Sequence, residues 1–383
     1  RYGGRAMKVL AVLYPGGDAA DDPYVMGSAE QALALREKLE SQGHELISTT
    51  DLEGGDLDKH LPDAEVLITT PFWPLYADEQ TLDSALNLQL ILTAGVGSDH
   101  VDLGAAAERN ITVAEITGSN TVSVAEHAMM QILALVRNFI PSYKDVVNGG
   151  WSIGEIAAES HDLEKKTVGV YGAGQIGQLI AERLVPFDVT TLYYKRSRLD
   201  ESDEKALDMR YAEMDEMLSE SDVIVIAAPL TPETRGLFDR DTLSRMKRGA
   251  YIVNIARGAI VERDALVEAL ESGGIGGYAG DVWHPQPAPS DHPWRTMPNH
   301  AMTPHVSGTT LEAQSRYVSG VHEVLYSFLS GKNIREDYLI VDRGEVVSGS
   351  YKANSGLPVV CFILLAQRRA DLVQVLQDLP VGL

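Results

Sequence analysis

The sequence predicts an α/β protein with doubly wound parallel sheets, and three observations support this fold class. Short apolar runs, such as 66–69 and 223–227, read as buried strands, and helix-like stretches, such as 30–41 and 123–136, separate them. Strands of a parallel sheet are apolar on both faces because helices cover both. The chain has 383 residues, of which 44% are hydrophobic. One hydrophobic core rarely serves so long a chain, so we expect two domains.

The predicted strands recur along most of the chain. The first, 8–14, ends at Pro15-Gly16-Gly17, which is typical of a loop. Further apolar runs predict strands at 66–69, 90–92, 168–171, 189–194, 223–227 and 251–255. Residues 345–383 lack this pattern. They open with Gly and Ser and contain ten largely apolar residues, 357–366, whereas a membrane span needs about 20. We interpret them as a tail without an assigned role.

Charge and cysteine content exclude several partners and sites. The chain has 32 Lys and Arg residues against 55 Asp and Glu, a formal net charge of −23 at pH 7. Such a protein is repelled by nucleic acids and anionic membranes, so we expect neither as a partner. Cys361 is the only cysteine, which excludes an internal disulfide and favours a cytoplasmic location without a metal site. Residues 1–6 have no apolar stretch, so we expect neither a signal peptide nor an anchor there, and Met7 looks like the natural start.

A glycine-rich turn predicts a nucleotide site. Gly172, Gly174 and Gly177 form a G-x-G-x-x-G pattern between the strand 167–171 and the helical pattern 178–184. In such a turn the first glycine allows a tight bend, the second lets the backbone approach a pyrophosphate, and the third lets helix and strand pack closely. The helix N-terminus then offers the N–H groups of Gln175 and Ile176 to the anion. A structural turn is the alternative.

The strand 189–194 is expected to end at the residue that reads the adenosine ribose. An NAD-specific site carries Asp or Glu there, which accepts a hydrogen bond from the ribose 2′-OH. This chain has Lys195, followed by Arg196, Ser197 and Arg198. Three cations and a hydroxyl suit a 2′-phosphate. The sequence therefore predicts NADP as the preferred cofactor, with NAD as the second choice, and a solvated basic loop as the alternative reading.

Several further segments match one family. Three motifs are common to a broad superfamily of enzymes: the glycine pattern, Asn-Ile-Ala-Arg-Gly at 254–258 and Pro304-His305. Other motifs are specific to one family within it, namely Pro-Phe-Trp-Pro at 71–74 and the segments 93–102, 119–127, 280–289 and 303–310. From about Met7 to Gly344 the chain resembles the metal-free, NAD(P)-dependent formate dehydrogenases, within the D-specific 2-hydroxyacid dehydrogenases. The resemblance implies two Rossmann-like domains and hydride transfer from formate to the nicotinamide.

The resemblance also assigns substrate-binding residues. Arg257 would grip the carboxylate, and its planar, charged guanidinium suits that role in an acidic protein. Asn120 and the backbone N–H of Val96, where isoleucine is common, would orient formate. His305 would complete the pocket, which Phe72 helps to wall. Taken singly, each of these residues could have an ordinary structural role, and it is their joint occurrence that favours a site.

Gln286 is the residue that separates two chemistries. The resemblance places it beside His305, where 2-hydroxyacid dehydrogenases have a glutamate. Oxidation of a 2-hydroxy acid removes a proton from oxygen as well as a hydride from carbon, so it needs a histidine held near pKa 7 by a carboxylate. Formate loses only a hydride. A neutral glutamine therefore suits formate, with His305 as an orienting group.

The resemblance extends the cofactor site beyond the glycine turn. Asp281 would contact the nicotinamide end or else cap its strand, and 229–233 would lie beside the adenosine or else form a Pro-bounded turn. Ile255 stands where we expect threonine, so a hydroxyl contact is lost there. The residues implied in addition to 172–177 and 195–197 are Thr121, Pro229, Leu230, Thr231, Glu233, Ile255, Ala256, Asp281, His305, Ser307 and Gly308.

The domain organisation follows from these assignments. We expect a substrate domain made of 7–120 and 307–344, a dinucleotide-binding domain, 121–306, inserted in it, and an uninterpreted tail, 345–383. By resemblance, the region around the helical pattern 126–137 builds the interface of a homodimer. Two other functions stay open: an NADP-dependent D-2-hydroxyacid dehydrogenase or glyoxylate reductase, and a non-catalytic dinucleotide sensor.

Overall fold

The computed structural model describes residues 5–13, 33–49, 56–71 and 75–352. Within them the chain divides into two units. The first unit consists of the residues up to Ser123 and from Gly308 onward, and the second is Val124–Ser307. Each unit has one seven-stranded sheet. The fold class predicted from the sequence, α/β with two doubly wound, Rossmann-like domains, is confirmed.

The sheet of the first unit has the strand order β14-β13-β5-β4-β3-β1-β2. Strands β1 to β5 are parallel, whereas β13 and β14 are antiparallel to their neighbours. The strands are β1 (Lys8–Val12), β2 (Glu45–Thr49), β3 (Val66–Thr69), β4 (Leu90–Thr93), β5 (Thr112–Glu115), β13 (Leu339–Asp342) and β14 (Glu345–Val346). The residues of β14 belong to the segment that sequence analysis leaves uninterpreted.

Helices flank this sheet on both faces. Val9 and Ile68 point to one face of the sheet and pack against its helices, and Leu10 and Leu67 do the same on the other face. All four side chains are fully buried. This alternation explains why the strands are apolar throughout. The helices described in this unit are α1 (Arg36–Ser41), α2 (Asp56–His60), α3 (Glu79–Ser84), α4 (Leu103–Glu108), the start of α5 (Thr121–Val136) and α13 (Leu311–Leu329).

The sheet of the second unit is entirely parallel, in the order β12-β11-β10-β9-β6-β7-β8. Its order reverses between β9 and β6, where ligands bind in sheets of this kind. The strands are β6 (Thr167–Tyr171), β7 (Thr190–Tyr194), β8 (Met209–Tyr211), β9 (Val223–Ile226), β10 (Ala250–Asn254), β11 (Ile275–Gly280) and β12 (His300–Met302). Its helices are the rest of α5, then α6 (Phe139–Val147), α7 (Ile153–Ala158), α8 (Gln175–Leu184), α9 (Glu201–Ala206), α10 (Met214–Glu220), α11 (Arg240–Arg245) and α12 (Arg263–Glu271).

Element ends differ from the sequence predictions by a few residues. The helix predicted at 30–41 is seen from Arg36, because Ala34 has φ +48° and interrupts it. The helix predicted from 123 begins at Thr121, and the one predicted from 178 begins at Gln175. Tyr14 and Cys361 lie outside the described residues.

The described residues contain neither a candidate membrane-spanning helix nor a candidate metal cluster. Across 5–13, 33–49, 56–71 and 75–352, no helix combines the length and apolar character that a bilayer crossing needs. In the same stretches no three His, Cys, Asp or Glu side chains are grouped so that they could hold a metal ion.

Candidate active site

The glycine turn follows β6 directly. Gly172 has φ +104°, and a Cβ there would lie 2.5 Å from the backbone nitrogen of Ala228. A Cβ on Gly177 would lie 2.3 Å from the carbonyl oxygen of Gly172. Both distances are far below van der Waals contact, so only glycine allows this bend and this close packing of α8 against β6.

The N-terminus of α8 is open at the same turn. Gly174 is its N-cap residue and supplies no side-chain cap, and no atom lies within 4 Å of the place where its Cβ would be. The first N–H groups of a helix have no partner within the helix, so those of Gln175 and Ile176 need a partner from outside it. A pyrophosphate fits such a position through its negative charge. The residues present therefore suit a dinucleotide.

The basic segment after β7 is more neutral than its sequence indicates. Arg198 donates two hydrogen bonds to Glu204, of 2.8 and 2.7 Å, and lowers the pKa of that carboxyl to about 2. Lys195 is half-buried, and within the described parts of the chain it makes no ion pair. Glu233 has a lowered pKa, first because the Thr231 hydroxyl bonds to it and further because Arg196 is near. Arg198 is thus already paired, and Arg196 also lies close to a carboxylate.

The segment Pro229–Glu233 forms a compact turn. The N–H of Thr231 donates to the Thr234 hydroxyl at 2.8 Å, and that hydroxyl donates to the carbonyl of Pro229 at 2.8 Å. This is the Pro-bounded turn that sequence analysis kept as an alternative. Its contact with a cofactor stays a prediction, and so does that of Leu230.

Arg257 lies in a loop that buried Asn254 holds at the end of β10. The Asn254 side chain accepts from the N–H of Ala256 at 3.1 Å and donates to the carbonyl of Arg257 at 3.0 Å. The half-buried guanidinium donates to the Ala256 carbonyl at 2.8 Å. Ile255 is buried in the apolar cluster beneath. The loop is therefore rigid, with the guanidinium close to its own backbone.

Gly258 brings this loop against a second segment. A Cβ on Gly258 would lie 2.4 Å from the carbonyl carbon of Trp283, so the two backbones touch. The Trp283 indole N–H donates to the carbonyl of Thr303 at 2.9 Å. The Arg257 loop, the 283–286 segment and the turn after β12 consequently form one connected region of the second unit.

His305 and Gln286 meet in that region. The Nδ1 atom of His305 lies 2.7 Å from Nε2 and 3.0 Å from Oε1 of Gln286. Both side chains are half-buried. The amide carries no charge, so it orients the imidazole without favouring the protonated form. A carboxylate in its place would favour that form.

Asp281 fastens the turn that carries His305. Its carboxylate is fully buried at the end of β11 and accepts from the N–H groups of Val306 (2.9 Å) and Ser307 (2.8 Å) and from the hydroxyl of Thr303 (2.6 Å). His305 itself has φ +58°, a conformation that few residues other than glycine adopt. Hydrogen bonds on both sides of His305 hold this strained turn.

His127 is a further half-buried group, which the sequence indicated only as part of the 119–127 motif. From α5, its Nε2 lies 3.1 Å from the Thr303 hydroxyl and 3.9 Å from Asp281. The Thr303 hydroxyl donates to Asp281, so it accepts from His127. Burial lowers the pKa of His127, although Asp281 opposes this, so the ring is neutral at pH 7. No local signal reveals this contact, because His127 and Thr303 are 176 positions apart.

Val96 lies in a loop of the first unit, between two glycines. Gly95 has φ +156° and Gly97 φ +110°. The N–H groups of Gly95 and Gly97 bond to the Thr93 carbonyl and the Glu115 carboxylate, whereas the N–H of Val96 has no partner among the described residues. The atom that the resemblance assigns to formate is therefore available. Phe72, which was also predicted to line the pocket, lies outside the described residues.

Asn120 packs against Gly308 in the first unit. A Cβ on Gly308 would lie 2.5 Å from Nδ2 of Asn120, so a side chain at 308 would displace the Asn120 carboxamide. Tyr317, whose pKa burial raises to about 12, donates to the Gly308 carbonyl at 2.7 Å. The Asn120 carboxamide oxygen is buried without a partner in the described ranges. A buried acceptor of this kind is satisfied only by a donor from outside these residues. Nearby, the Thr121 hydroxyl donates to the Gly118 carbonyl at 3.1 Å.

Comparison with known proteins agrees with this geometry. Residues 129–307 match the family described as D-isomer specific 2-hydroxyacid dehydrogenase, NAD binding domain. The mitochondrial formate dehydrogenase of Solanum tuberosum is 51% identical over 343 residues, which cover 88% of this chain and 90% of that protein. The chain belongs to the formate dehydrogenase family. The resemblance noted from the sequence is thereby confirmed.

Solved structures of formate dehydrogenases share the fold. The enzyme from Granulicella has a TM-score of 0.85 and 44% identity, covering 89% of this chain and all of that one. The NAD-dependent formate dehydrogenase of Staphylococcus aureus, solved in complex with NAD, has a TM-score of 0.81 and 50% identity, covering 88% and 99%. This member of the formate dehydrogenase family therefore has a nicotinamide-dinucleotide domain.

The buried position of Asp281 generates a test of its structural role. In Asp281→Asn an amide NH₂ faces one of the three donors, so we expect the free energy of unfolding to fall by about 1–3 kcal/mol. Urea denaturation followed by tryptophan fluorescence measures this, because Trp283 and Trp294 lie in the same unit. Exposed Asp291→Asn is the control and should change the value by less than about 0.5 kcal/mol. Equal effects of the two substitutions would show that Asp281 does not fasten the turn.

Proposed function

We propose that this protein is a formate dehydrogenase that transfers the hydride of formate directly to NADP⁺, giving CO₂ and NADPH, and that it uses NAD⁺ less well. The observation that carries the choice of reaction is the neutral amide of Gln286, within 2.7 Å of His305 Nδ1. Formate anion has no O–H, so its carbon needs to lose only a hydride, with two electrons, to become CO₂. No general base is required, and a neutral partner for the histidine is sufficient.

Arg257 is the fixed cation of this reaction. Its guanidinium can form two parallel hydrogen bonds with a carboxylate, which set the direction of the substrate as well as its affinity. The resemblance assigns the remaining orientation to Asn120 and the Val96 N–H. Their role is to hold the formate C–H in line with its acceptor, and such positioning supplies much of the rate.

The cofactor contributes the hydride acceptor when it is bound. Within the second unit, the Gly172–Gly177 turn and the N-terminus of α8 would hold its pyrophosphate. Asp281 keeps the turn 303–307 in place, and His305 is oriented by Gln286. These residues would bind and orient the cofactor and the substrate. The apolar side chains beneath them, such as Ile255, exclude water.

The preference for NADP is supported by the residue after β7. An acidic side chain there would repel a 2′-phosphate, and this chain has Lys195, which is half-buried and outside any ion pair of the described residues. Arg198 is paired with Glu204, and Arg196 lies near Glu233. Lys195 therefore carries most of the proposed discrimination.

The reaction is tested by following absorbance of reduced nicotinamide with formate and with either cofactor. We expect the absorbance to rise faster with NADP⁺ than with NAD⁺. A rise with NAD⁺ alone would retain formate oxidation and overturn the NADP preference. No rise with either cofactor, together with reduction of glyoxylate, would indicate the 2-hydroxyacid reaction instead.

Substitution of Arg257 tests the carboxylate grip. Arg257→Ala should lower kcat/KM for formate at least about a hundredfold, because a paired charge is lost, while cofactor binding measured by fluorescence titration survives. Arg263→Ala is the matched control, since that arginine bonds to Asp264 instead. Near-normal formate oxidation by Arg257→Ala would exclude the proposed role.

Substitution of Lys195 tests cofactor choice. Lys195→Asp should shift the NADP/NAD ratio of kcat/KM at least about tenfold toward NAD, because a carboxylate repels the 2′-phosphate and accepts from the ribose hydroxyl. Lys165→Asp introduces the same charge change at an exposed site of the same unit and should leave the ratio within about twofold. An unchanged ratio in Lys195→Asp would refute the cofactor assignment.

We also propose that the protein is a homodimer. Helices α6 and α7 follow α5, and neither has a buried residue. Their exposed side chains include Phe139, Val147, Trp151 between the helices and Ile153, and Trp151 is 80% exposed. An apolar stretch of this extent is typical of an interface. Closed two-fold symmetry is the commonest arrangement, so a second copy of the chain is its proposed partner.

Light scattering after size-exclusion chromatography tests the dimer. The wild-type protein should have the mass of two chains, and Val147→Asp should have that of one, because a charge would be desolvated in the interface. Leu86→Asp is the control, since Leu86 is also an exposed apolar residue but lies in the first unit. A wild-type monomer, or a dimer in all three proteins, would contradict the proposal.

A further inference from the structure

A second buried carboxylate, Glu115, lies at the end of β5 in the first unit. Its side chain is only 3% exposed. Three groups donate to its Oε2 atom: the Gly97 N–H (3.1 Å), the Ser98 hydroxyl (2.8 Å) and the Tyr351 hydroxyl (3.0 Å). The Thr117 hydroxyl donates to Oε1 at 3.2 Å. A buried carboxylate is costly in free energy unless donors surround it, and these four donors meet that requirement.

The donors come from two distant parts of the chain. Gly97 and Ser98 belong to the Val96 loop, whereas Tyr351 follows β14, 236 positions after Glu115. The Tyr351 hydroxyl also accepts from the Ser98 N–H at 2.8 Å. It therefore joins the loop to the carboxylate by one donated and one accepted hydrogen bond.

The loop depends on this support. Gly95 and Gly97 have positive φ values, in the region that glycine enters freely, so the backbone around Val96 has little intrinsic stiffness. The N–H groups on either side of Val96 are bonded, at Gly95 to the Thr93 carbonyl and at Gly97 to Glu115. The network thus fixes the peptide planes on either side of the Val96 N–H.

We infer that Glu115 and Tyr351 are positioning residues for the substrate, which hold the Val96 N–H in the direction that formate requires. This inference rests on the proposed formate oxidation. Neither residue needs to touch formate. Loss of either should affect substrate binding and alignment, and should leave the cofactor turn of the second unit unchanged.

The test compares Tyr351→Phe and Glu115→Gln with the wild-type protein. Tyr351→Phe removes only the bridging hydroxyl, so the formate KM should rise about three- to tenfold with the NADP⁺ KM unchanged. Glu115→Gln places an amide NH₂ against donors, and kcat/KM for formate should fall about ten- to a hundredfold. Tyr338→Phe is the matched control, because Tyr338 is buried in the same unit and its hydroxyl bonds to no described residue.

Amide hydrogen exchange of the 93–99 segment provides a reading that does not depend on turnover. The Gly97 and Ser98 amides should exchange faster in both variants and at the wild-type rate in Tyr338→Phe, with the thermal midpoint of Tyr351→Phe within a few degrees of the wild-type value. A general loss of structure would instead speed exchange throughout the unit and raise both KM values.

The outcomes separate this inference from the proposed function. If the wild-type protein oxidises formate and both variants keep its formate KM and its exchange rates, the positioning role is overturned. If the wild-type protein does not oxidise formate with either cofactor, the proposed function fails, and with it the assignment of Glu115 and Tyr351 to formate. Faster exchange would then show only that they hold the loop.

Discussion

A carboxylate buried at the end of a β-strand has to find its hydrogen-bond donors nearby, and in both units those donors include backbone amides of a loop. Asp281 follows β11 and binds the N–H groups of Val306 and Ser307, and Glu115 ends β5 and binds the N–H of Gly97. Leaving either carboxylate unpaired would cost several kcal/mol. The requirement fixes loops at the carboxyl ends of parallel strands, where ligands of such sheets bind.

Features with local physical causes could be predicted from the sequence. The apolar strands and the bends at Gly172 and Gly177 follow from burial and from the lack of a Cβ. The support of the site could not be predicted, because it depends on tertiary contacts between distant residues. The bond of Tyr351 to Glu115 is the clearest example, since it arises from a segment without a recognisable pattern. The family resemblance indicated which residues to expect in the site, and the structure shows the hydrogen bonds that hold their loops.

The basic segment after β7 illustrates a related limit of sequence reasoning. Counting cations at 195–198 treats each as available, yet the acidic excess of the chain offers partners to many of them. Arg198 finds Glu204 six positions later and is held there by two hydrogen bonds. Lys195 has no such partner among the described residues. The proposed cofactor discrimination therefore depends on which charges the fold leaves unpaired rather than on how many the sequence contains.

The neutral partner of His305 fits the electrostatics of the proposed reaction. Formate brings one negative charge and the oxidised nicotinamide one positive charge, and both disappear as the hydride moves. The transition state is therefore less charged than the bound reactants, and a site of low polarity favours it. A glutamate at 286 would add a second negative charge to a site that has to accept an anionic substrate. The glutamine orients His305 without adding a charge, and in the proposed reaction the charge that holds the carboxylate comes from Arg257 alone.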